Sequence, residues 1–317
     1  MLLYTVKRVI HAAIVVWAVA TVVFFIVRLV PGGPVAALLG PEYTAKAAVA
    51  MEHRLGLDQG LWIQYVKYLD HLVHLDFGNS AAGGASVSTV LAEAFPRTAS
   101  LTVVGLVVGL LLAIPLGVRA ARQSSRFAGP VAGAVGLVGL SLPTFWLGML
   151  LILFVAVKLQ VLPAYGYEPL SAGIGPWLSH VILPGLCLGV WYAAPLVLIT
   201  RSSMIETLRE PYIQTARAKG LSDSVIVVKH VLPNAFIPVL TMAGIQTGAL
   251  LSGAVVTEIL FAVNGIGRVL VSAIHNRDYA VIQGVILLIS VIFVAVNMVV
   301  DLLYAVLNPR IRLAQEA

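Results

Sequence analysis

Charged side chains are scarce in this chain. Of 317 residues, only 11% are Asp, Glu, Lys or Arg, while 60% are apolar. A soluble domain carries about 25% charged residues. No soluble fold of this length has interior enough for so much apolar surface, so the bilayer is the expected solvent. Cysteine is scarcer still. Cys187 stands alone inside an apolar run, which excludes a disulfide framework and a cysteine-based metal cluster. It reads as a small packing residue rather than a reactive thiol. The chain lacks a Gly-x-x-x-x-Gly-Lys-Ser/Thr loop, so it is not expected to bind ATP itself. It also lacks a nucleophile, base and orienting group in a catalytic pattern, so an enzyme is not expected. The charge that is present is basic, with a net +6. In a soluble protein that balance would suggest nucleic acid. Here the basic residues fall between apolar runs, where membrane topology accounts for them and no nucleic-acid partner is called for.

Charge-free runs locate the spans. One lies before Arg28, and others are enclosed by Arg97 and Arg119, Arg126 and Lys158, Glu168 and Arg201, Lys229 and Glu258, and Asp278 and Asp301. Each reaches the roughly 20 residues that an apolar helix needs to cross the hydrocarbon. The reading is an all-α integral membrane protein with six transmembrane helices near 9–30, 98–118, 130–157, 180–200, 234–257 and 280–303. No cleavable signal peptide is evident, and the first run reads as a retained signal anchor. Twelve basic residues, among them Lys7, Arg8, Arg119, Arg122, Arg126, Arg310 and Arg312, fall on one side, against seven on the other. The positive-inside rule puts the richer side, with both termini, in the cytoplasm.

Three connections are longer than turns. The extracytoplasmic segment 31–96 opens with Pro31-Gly32-Gly33-Pro34, which cannot continue a helix. Thr44 can cap a helix that stops at Gly56. Leu61, Tyr65, Leu69 and Leu72 share a helical face expected to pack on the ends of the spans. A second extracytoplasmic loop, 258–279, carries Asn264-Gly265-Ile266-Gly267. In the cytoplasmic loop 201–233, Glu210-Pro211 starts a short helix and Gly220 ends it. Ser222 can cap a second helix, limited by Pro233, before the next span begins. A short inner helix with mixed charge and small residues at Thr215, Ala216 and Ala218 suits docking into another protein's groove. An amphipathic helix lying on lipid headgroups is the alternative, and both stay open at this point.

At this loop the chain resembles the membrane subunits of ABC importers. Gln214, Thr215 and Ala216 occupy the family's Glu-Ala-Ala positions, and Gly220 and Leu232-Pro233 stand at the family's spacing, with His230 in place of its Ile. The departures resemble one branch, the dipeptide/oligopeptide/nickel permeases, whose version is close to Tyr212-Ile213-Gln214-Thr215-Ala216-Arg217-Ala218-Lys219-Gly220-Leu221. Seven further strings follow in that branch's order: Arg28-Leu29-Val30-Pro31-Gly32, Leu55-Gly56-Leu57-Asp58, Asp76-Phe77-Gly78-Asn79-Ser80, Ser141-Leu142-Pro143-Thr144-Phe145-Trp146, Arg201-Ser202-Ser203-Met204, Arg277-Asp278-Tyr279 and Asn308-Pro309-Arg310-Ile311-Arg312. Asn264 and Asn308 depart from the branch's usual Pro and Asp.

The resemblance implies a type I ABC importer permease fold in the bacterial cytoplasmic (inner) membrane. It implies a second, related permease subunit, two ATPase domains that carry ATP and Mg, and an extracytoplasmic solute-binding protein. Peptides are the implied substrate class, with nickel or another small solute as the alternative. Tyr212, Gln214, Thr215, Ala216, Arg217, Lys219, Gly220, Leu232 and Pro233 become candidate ATPase-coupling residues. No cofactor of the chain's own is implied.

Polar side chains within the spans are the candidates for the pathway, because burying them in lipid is costly. Gln246 is mid-span in the fifth helix and Asn297 is in the last third of the sixth, one turn from Asp301. An interhelical hydrogen bond is the other reading of Gln246, and pairing with an inner basic residue that of Asp301. Ser141 and Ser252 read as helix-packing residues, and Arg28 as a side chain snorkelling to the surface. His71 and His74, three apart, can face one way, but surface histidine is the commoner role and no metal site is assigned. The competing class is an ion-driven secondary transporter, which would show internal repeats and midplane charges. Neither is found here.

Overall fold

In the computed structural model, residues 2–29, 35, 39, 44–54, 56–81, 83–122 and 142–307 are described, with backbone alone for 2–5, 7, 54, 252 and 301–307. Helices dominate. In chain order they are α1 (Leu2–Leu29), α2 (Ala45–Arg54), α3 (Leu61–Val73), α4 (Val87–Arg122), α5 (Thr144–Leu151), α6 (Ile174–Leu208), α7 (Pro211–Ala218), α8 (Leu232–Leu260), α9 (Ile266–His275) and α10 (Tyr279–Leu307). A π-helical segment, Ile152–Lys158, extends α5. A short turn, Asp223–Val225, and a second π segment, Ile226–Val231, lead into α8.

Five described helices are long and apolar enough to cross a membrane: Arg8–Leu29, Val87–Arg122, Ile174–Leu208, Asp223–Leu251 and Tyr279–Val300. The expected span 130–157 is described only from residue 142, where Thr144–Lys158 is a shorter apolar helix. Ser141, Arg126 and the strings at 30–34 and 308–312 lie outside the described residues, as do the side chains of Lys7, Ser252 and Asp301. The helices outrun the charge-free runs that marked them. α4 begins at Val87 rather than near 98, and α6 extends from 174 to 208 rather than 180 to 200. A charge marks where lipid must give way to water. It does not end a helix, whose backbone bonds are satisfied equally well on either side of that line.

The chain forms two compact units, residues 1–97 with 264–295 and residues 98–263 with 296–317. In the first, Thr44 Oγ1 accepts the Ala47 amide at 3.2 Å, capping α2 as expected, and Gly56 takes a positive φ of 65° after its end. α3 packs on α1. Tyr65 is buried, and its hydroxyl bonds Thr21 Oγ1 at 2.7 Å. Leu61, expected on that packing face, is exposed at the start of the helix. Arg28 does not snorkel free. Its Nε and Nη2 donate to Gln64 Oε1 at 3.1 and 2.9 Å, and its guanidinium lies over the Phe24 ring. The 258–279 loop contains α9. Its Ile266 and Ala273 join Val87, Leu91, Ala94, Val281 and Val285 in one apolar cluster.

The second unit is built on crossings of α4, α6 and α8. Gly105 and Gly109 of α4 face Gly185 and Gly189 of α6. A Cβ on Gly109 would stand 2.4 Å from Tyr192 Cδ1 and 3.1 Å from the Gly189 carbonyl; one on Gly189 would stand 2.6 Å from Val108 Cγ1. Two small-xxx-small stripes thus let the backbones meet, the usual way membrane helices gain contact without a hydrophobic driving force. Tyr192 then ties α6 to α8, its hydroxyl donating to the Ala243 carbonyl at 3.0 Å. Nearer the α7 end, Ser203 Oγ donates to the Ala235 carbonyl at 2.9 Å. Cys187 is a packing residue as expected: it is buried, with Sγ 2.9 Å from the Thr144 carbonyl.

Candidate functional site

The segment between α6 and α8 has its own architecture. Glu210 is extended (φ −63°, ψ 142°) and Pro211 takes the first helical position. There its missing N–H costs nothing and its fixed φ is already helical. Eight residues later the helix closes with a Schellman motif: Gly220 N–H bonds the Arg217 carbonyl at 2.9 Å and Leu221 N–H the Ala216 carbonyl at 3.3 Å. The motif needs a left-handed residue, and Gly220 supplies it at φ +76°.

The chain does not then form a separate second helix ended by Pro233. Ser222 makes no side-chain cap, and Asp223 runs through the π segment Ile226–Val231 straight into α8, with Pro233 in its first turn. A π turn already interrupts the regular i→i−4 ladder, so a proline just beyond it removes little.

α7 is anchored by one face. Ile213 and Ala216 are buried with Met204, Ile226, Val227, Val231 and Ala235. Full burial of an isoleucine is worth about 1.5–3 kcal/mol. Tyr212 makes a polar tie, its hydroxyl accepting from Asn234 Nδ2 at 3.1 Å and reaching the His230 carbonyl at 3.3 Å. Asp223 joins two elements: its carboxylate receives Arg122 Nη2 at 3.3 Å, from the end of α4, and lies 4.0 Å from Arg217 Nη2. The outward face presents Gln214, Thr215, Arg217, Ala218 and Lys219, all exposed. Leu232 is half-buried and Pro233 exposed. An amphipathic helix resting on lipid would turn its apolar face outward. In α7 that face is spent on the protein's own core, and the free face is polar and basic.

The two candidate pathway residues are each half-buried, Gln246 on α8 and Asn297 on α10. Gln246 makes no hydrogen bond among the described residues, so the interhelical bond that was its other reading is not seen there. Asn297 does have an interaction partner. Near its residue, α10 packs on α8 where a Cβ on Gly244 would meet Val300 Cγ1 at 2.7 Å.

Two polar contacts were not foreseen. Thr98 Oγ1 donates to Glu258 Oε1 at 2.5 Å, and both side chains are buried. The sequence showed Glu258 only as the charge bounding a span. Ser80 Oγ donates to Asp278 Oδ2 at 2.6 Å, joining two of the motif strings across 198 residues. Beside that bond, the backbone N–H of Gly78 and then the His71 imidazole hold the Asp76 carboxyl below its usual range. His71 and His74 do not converge: His71 Nδ1 pairs with Asp76 Oδ2 at 2.9 Å and His74 Nδ1 with the Asp70 carbonyl at 2.8 Å.

Comparison with known proteins agrees with this architecture. Residues 113–313 match the family described as binding-protein-dependent transport system inner membrane component, and residues 1–102 match the N-terminal region of such membrane components. The chain is 38% identical over 309 residues to a probable peptide ABC transporter permease protein of Sinorhizobium fredii, covering 98% of this chain and 99% of that one. It is 41% identical over 312 residues to the glutathione transport system permease protein GsiC of Salmonella typhi, with the same coverage. Among solved structures, an inward-facing MetNI methionine ABC transporter superposes with a TM-score of 0.57 at 18% identity, covering 69% of this chain and 96% of that one. That likeness extends the agreement to the fold.

Proposed function

The chain belongs to the binding-protein-dependent transport system inner membrane components, and from that premise we propose that it is the pathway subunit of an ATP-driven importer of di- and oligopeptides. Its work is transport rather than catalysis. α7, from Pro211 to Gly220, is the coupling element: partner ATPases seat on the face carrying Gln214, Thr215, Arg217 and Lys219. ATP and Mg reside on those partners. Their closure moves α7, and α7 carries α8 with it, so that the spans alternate between outward and inward access. A second related permease completes the pathway, and a solute-binding protein delivers substrate on the opposite side of the membrane. The termini lie on the ATPase side.

One observation carries the coupling assignment. The apolar face of α7 is buried against its own protein and its polar face is free. That arrangement supports docking into a protein groove over resting on lipid. The substrate class is supported by the relatives, one named for peptides and the other for glutathione, itself a tripeptide. The nickel alternative draws no support from His71 and His74, which bond separate acceptors.

The test is reconstitution with the second permease, the ATPases and the binding protein, following uptake of a labelled peptide together with ATP hydrolysis. Uptake that requires ATP, and cross-linking of Thr215→Cys to an ATPase, are the expected results. Uptake by this chain without any ATPase would overturn the proposal in favour of an ion-driven carrier.

A further inference from the structure

The apolar surface of α3 (Leu61–Val73) extends beyond the contact it makes with α1. At about 100° per residue, Tyr65, Tyr68 and Leu72 fall on one side of the helix, and Tyr65 is buried against α1. Trp62, Val66, Leu69 and Val73 fall on the adjoining side, within roughly 60° of arc. Trp62 is 73% exposed, Val66 50% and Val73 80%. Lys67, Asp70, His71 and His74 lie on the rest of the circumference and are exposed, with one exposed apolar residue, Ile63, among them. The helix therefore has one broad apolar arc, closed against α1 at Tyr65 and Tyr68 and open over Trp62, Val66 and Val73, beside a mainly polar face.

The open half continues an established surface. The Trp62 ring lies 5.7 Å from that of Tyr65, and Tyr65 lies 6.3 Å from Phe25 of α1. Phe25, Val22, Ile26 and Leu29 are exposed on α1, a helix long and apolar enough to cross the membrane in a chain whose family resides there. The depth is set as well. Arg28, one residue from the end of α1, is a charge that belongs where hydrocarbon meets water, and it is gripped by Gln64 of α3. Gln64 thereby holds α3 at that level.

We propose that α3 lies in the interfacial zone of the membrane that α1 crosses, with Trp62, Val66 and Val73 in contact with lipid and Lys67, Asp70 and His74 toward water. The chemistry of the open face favours lipid over another protein's helix. It is made of Trp and branched aliphatics, where close helix contacts within membranes use Gly, Ala and Ser. Tryptophan is also the residue favoured at the headgroup level. α3 is then an in-plane anchor that holds the segment after α1 against the membrane and limits how far the end of α1 can tilt or sink. This rests on the family reading alone, not on the peptide or coupling proposals, and its test measures no transport.

The test places a spin label, through Trp62→Cys, Val66→Cys, Val73→Cys, Lys67→Cys, Asp70→Cys and His74→Cys in separate Cys187→Ser chains, on positions whose exposure tolerates it. Each chain is assembled with the second permease and the ATPases in vesicles of phosphatidylethanolamine and phosphatidylglycerol. Collision rates with oxygen and with a water-soluble paramagnetic reagent are compared. Labels at 62, 66 and 73 are expected to meet oxygen several-fold more than the aqueous reagent, and labels at 67, 70 and 74 the reverse. Equal aqueous access at all six positions overturns the proposal. So does shielding of 62, 66 and 73 from both reagents, which would mean that a partner protein covers the face.

Discussion

Gly220 offers the sharpest perturbation of the proposed coupling element, because its strain and its surroundings can be separated. Its φ is +76°, and a Cβ built on it meets nothing within 4 Å. A substitution there creates no clash, so its whole cost is conformational. Placing an L-residue in the left-handed region costs about 1–2 kcal/mol, and least for Asn. The two Schellman hydrogen bonds, at 2.9 and 3.3 Å, depend on that conformation. Since 1.4 kcal/mol is tenfold in an equilibrium, about 2 kcal/mol lowers the weight of the native turn by some 30-fold relative to frayed alternatives. A β-branched residue is the most restricted of all. We expect Gly220→Val to insert and assemble normally, because the core holding Ile213 and Ala216 is untouched. Peptide taken up per ATP hydrolysed should fall, with Gly220→Ala intermediate and Gly220→Asn near the parent. The assay is paired uptake and hydrolysis in proteoliposomes, with assembly checked by co-purification. If Gly220→Val keeps the parental ratio, the end of α7 does not transmit the ATPases' motion. If Asn fails as badly as Val, the left-handed conformation is not what matters.

The contrasting glycine is Gly109. A Cβ there would come within 2.4 Å of Tyr192 Cδ1, and that ring cannot retreat because it is buried and bonded to Ala243. Gly109→Ala should therefore destabilise the α4–α6 crossing by about 1–3 kcal/mol, lowering the melting temperature in detergent, whereas Gly220→Asn should leave it nearly unchanged; equal melting of the two would refute the crossing. At the end of α2, the hydrogen bond to Asp58, 2.7 Å from His53 Nδ1, raises the His53 pKa and lowers that of Asp58. The histidine's contribution is present below its ordinary value and is lost as pH rises through the raised one. The aspartate's contribution is present above the usual carboxylate range and is lost as pH falls through the lowered value. After correction for intrinsic rates, exchange protection at the Gly56 and Leu57 amides should be greatest between those limits and fall on the alkaline side, and His53→Gln should abolish the dependence.

Local chemistry was readable in the sequence wherever a few adjacent residues dictate the backbone. Thr44 with Gly56, and Glu210-Pro211 with Gly220, marked helix ends that the structure has within a residue or two, because caps and left-handed glycines act over one turn. The same holds for the apolar runs, since no other solvent than lipid accommodates them. What escaped was decided at a distance. Nothing around Arg28 announces Gln64, 36 residues on, and nothing around Ser80 announces Asp278. The stripes Gly105–Gly109 and Gly185–Gly189 can be seen in the sequence, but that they face each other is a property of the packed helices. α9 stands within the stretch 258–279 expected as a loop, although Ile266, Val269, Leu270 and Ala273 recur at helical spacing. The fusion of the second inner helix with α8 went unseen because it depends on a π segment, which has no sequence signature to match proline's.

That fusion matters to how a push on α7 would travel. Had the helix after Ser222 ended at Pro233, α7 and α8 would be separate bodies joined by a flexible turn, and motion at Gln214–Lys219 would dissipate there. Instead α7 is fixed to the start of α8 twice, by Ile213 and Ala216 in the shared apolar cluster and by Tyr212 on Asn234 and the His230 carbonyl. From there α8 runs to Leu260 without a loop. Along its length it holds α6 through Ser203 on Ala235 and Tyr192 on Ala243. The residue before Thr247, which also neighbours the Tyr192 hydroxyl at 3.3 Å, is Gln246. The candidate pathway amide therefore lies on the helix to which the candidate coupling helix is fixed, two turns beyond its internal Pro238. A displacement of α7 that shifts Gln246 past a stationary α6 breaks the Tyr192 bonds and leaves a buried hydroxyl without its partners, at a cost of about 1–3 kcal/mol. Movement of the amide together with α6 avoids that cost. If the ATPases dock at α7 as proposed, α6 and α8, moving as a pair, are therefore the elements that docking would drive most directly.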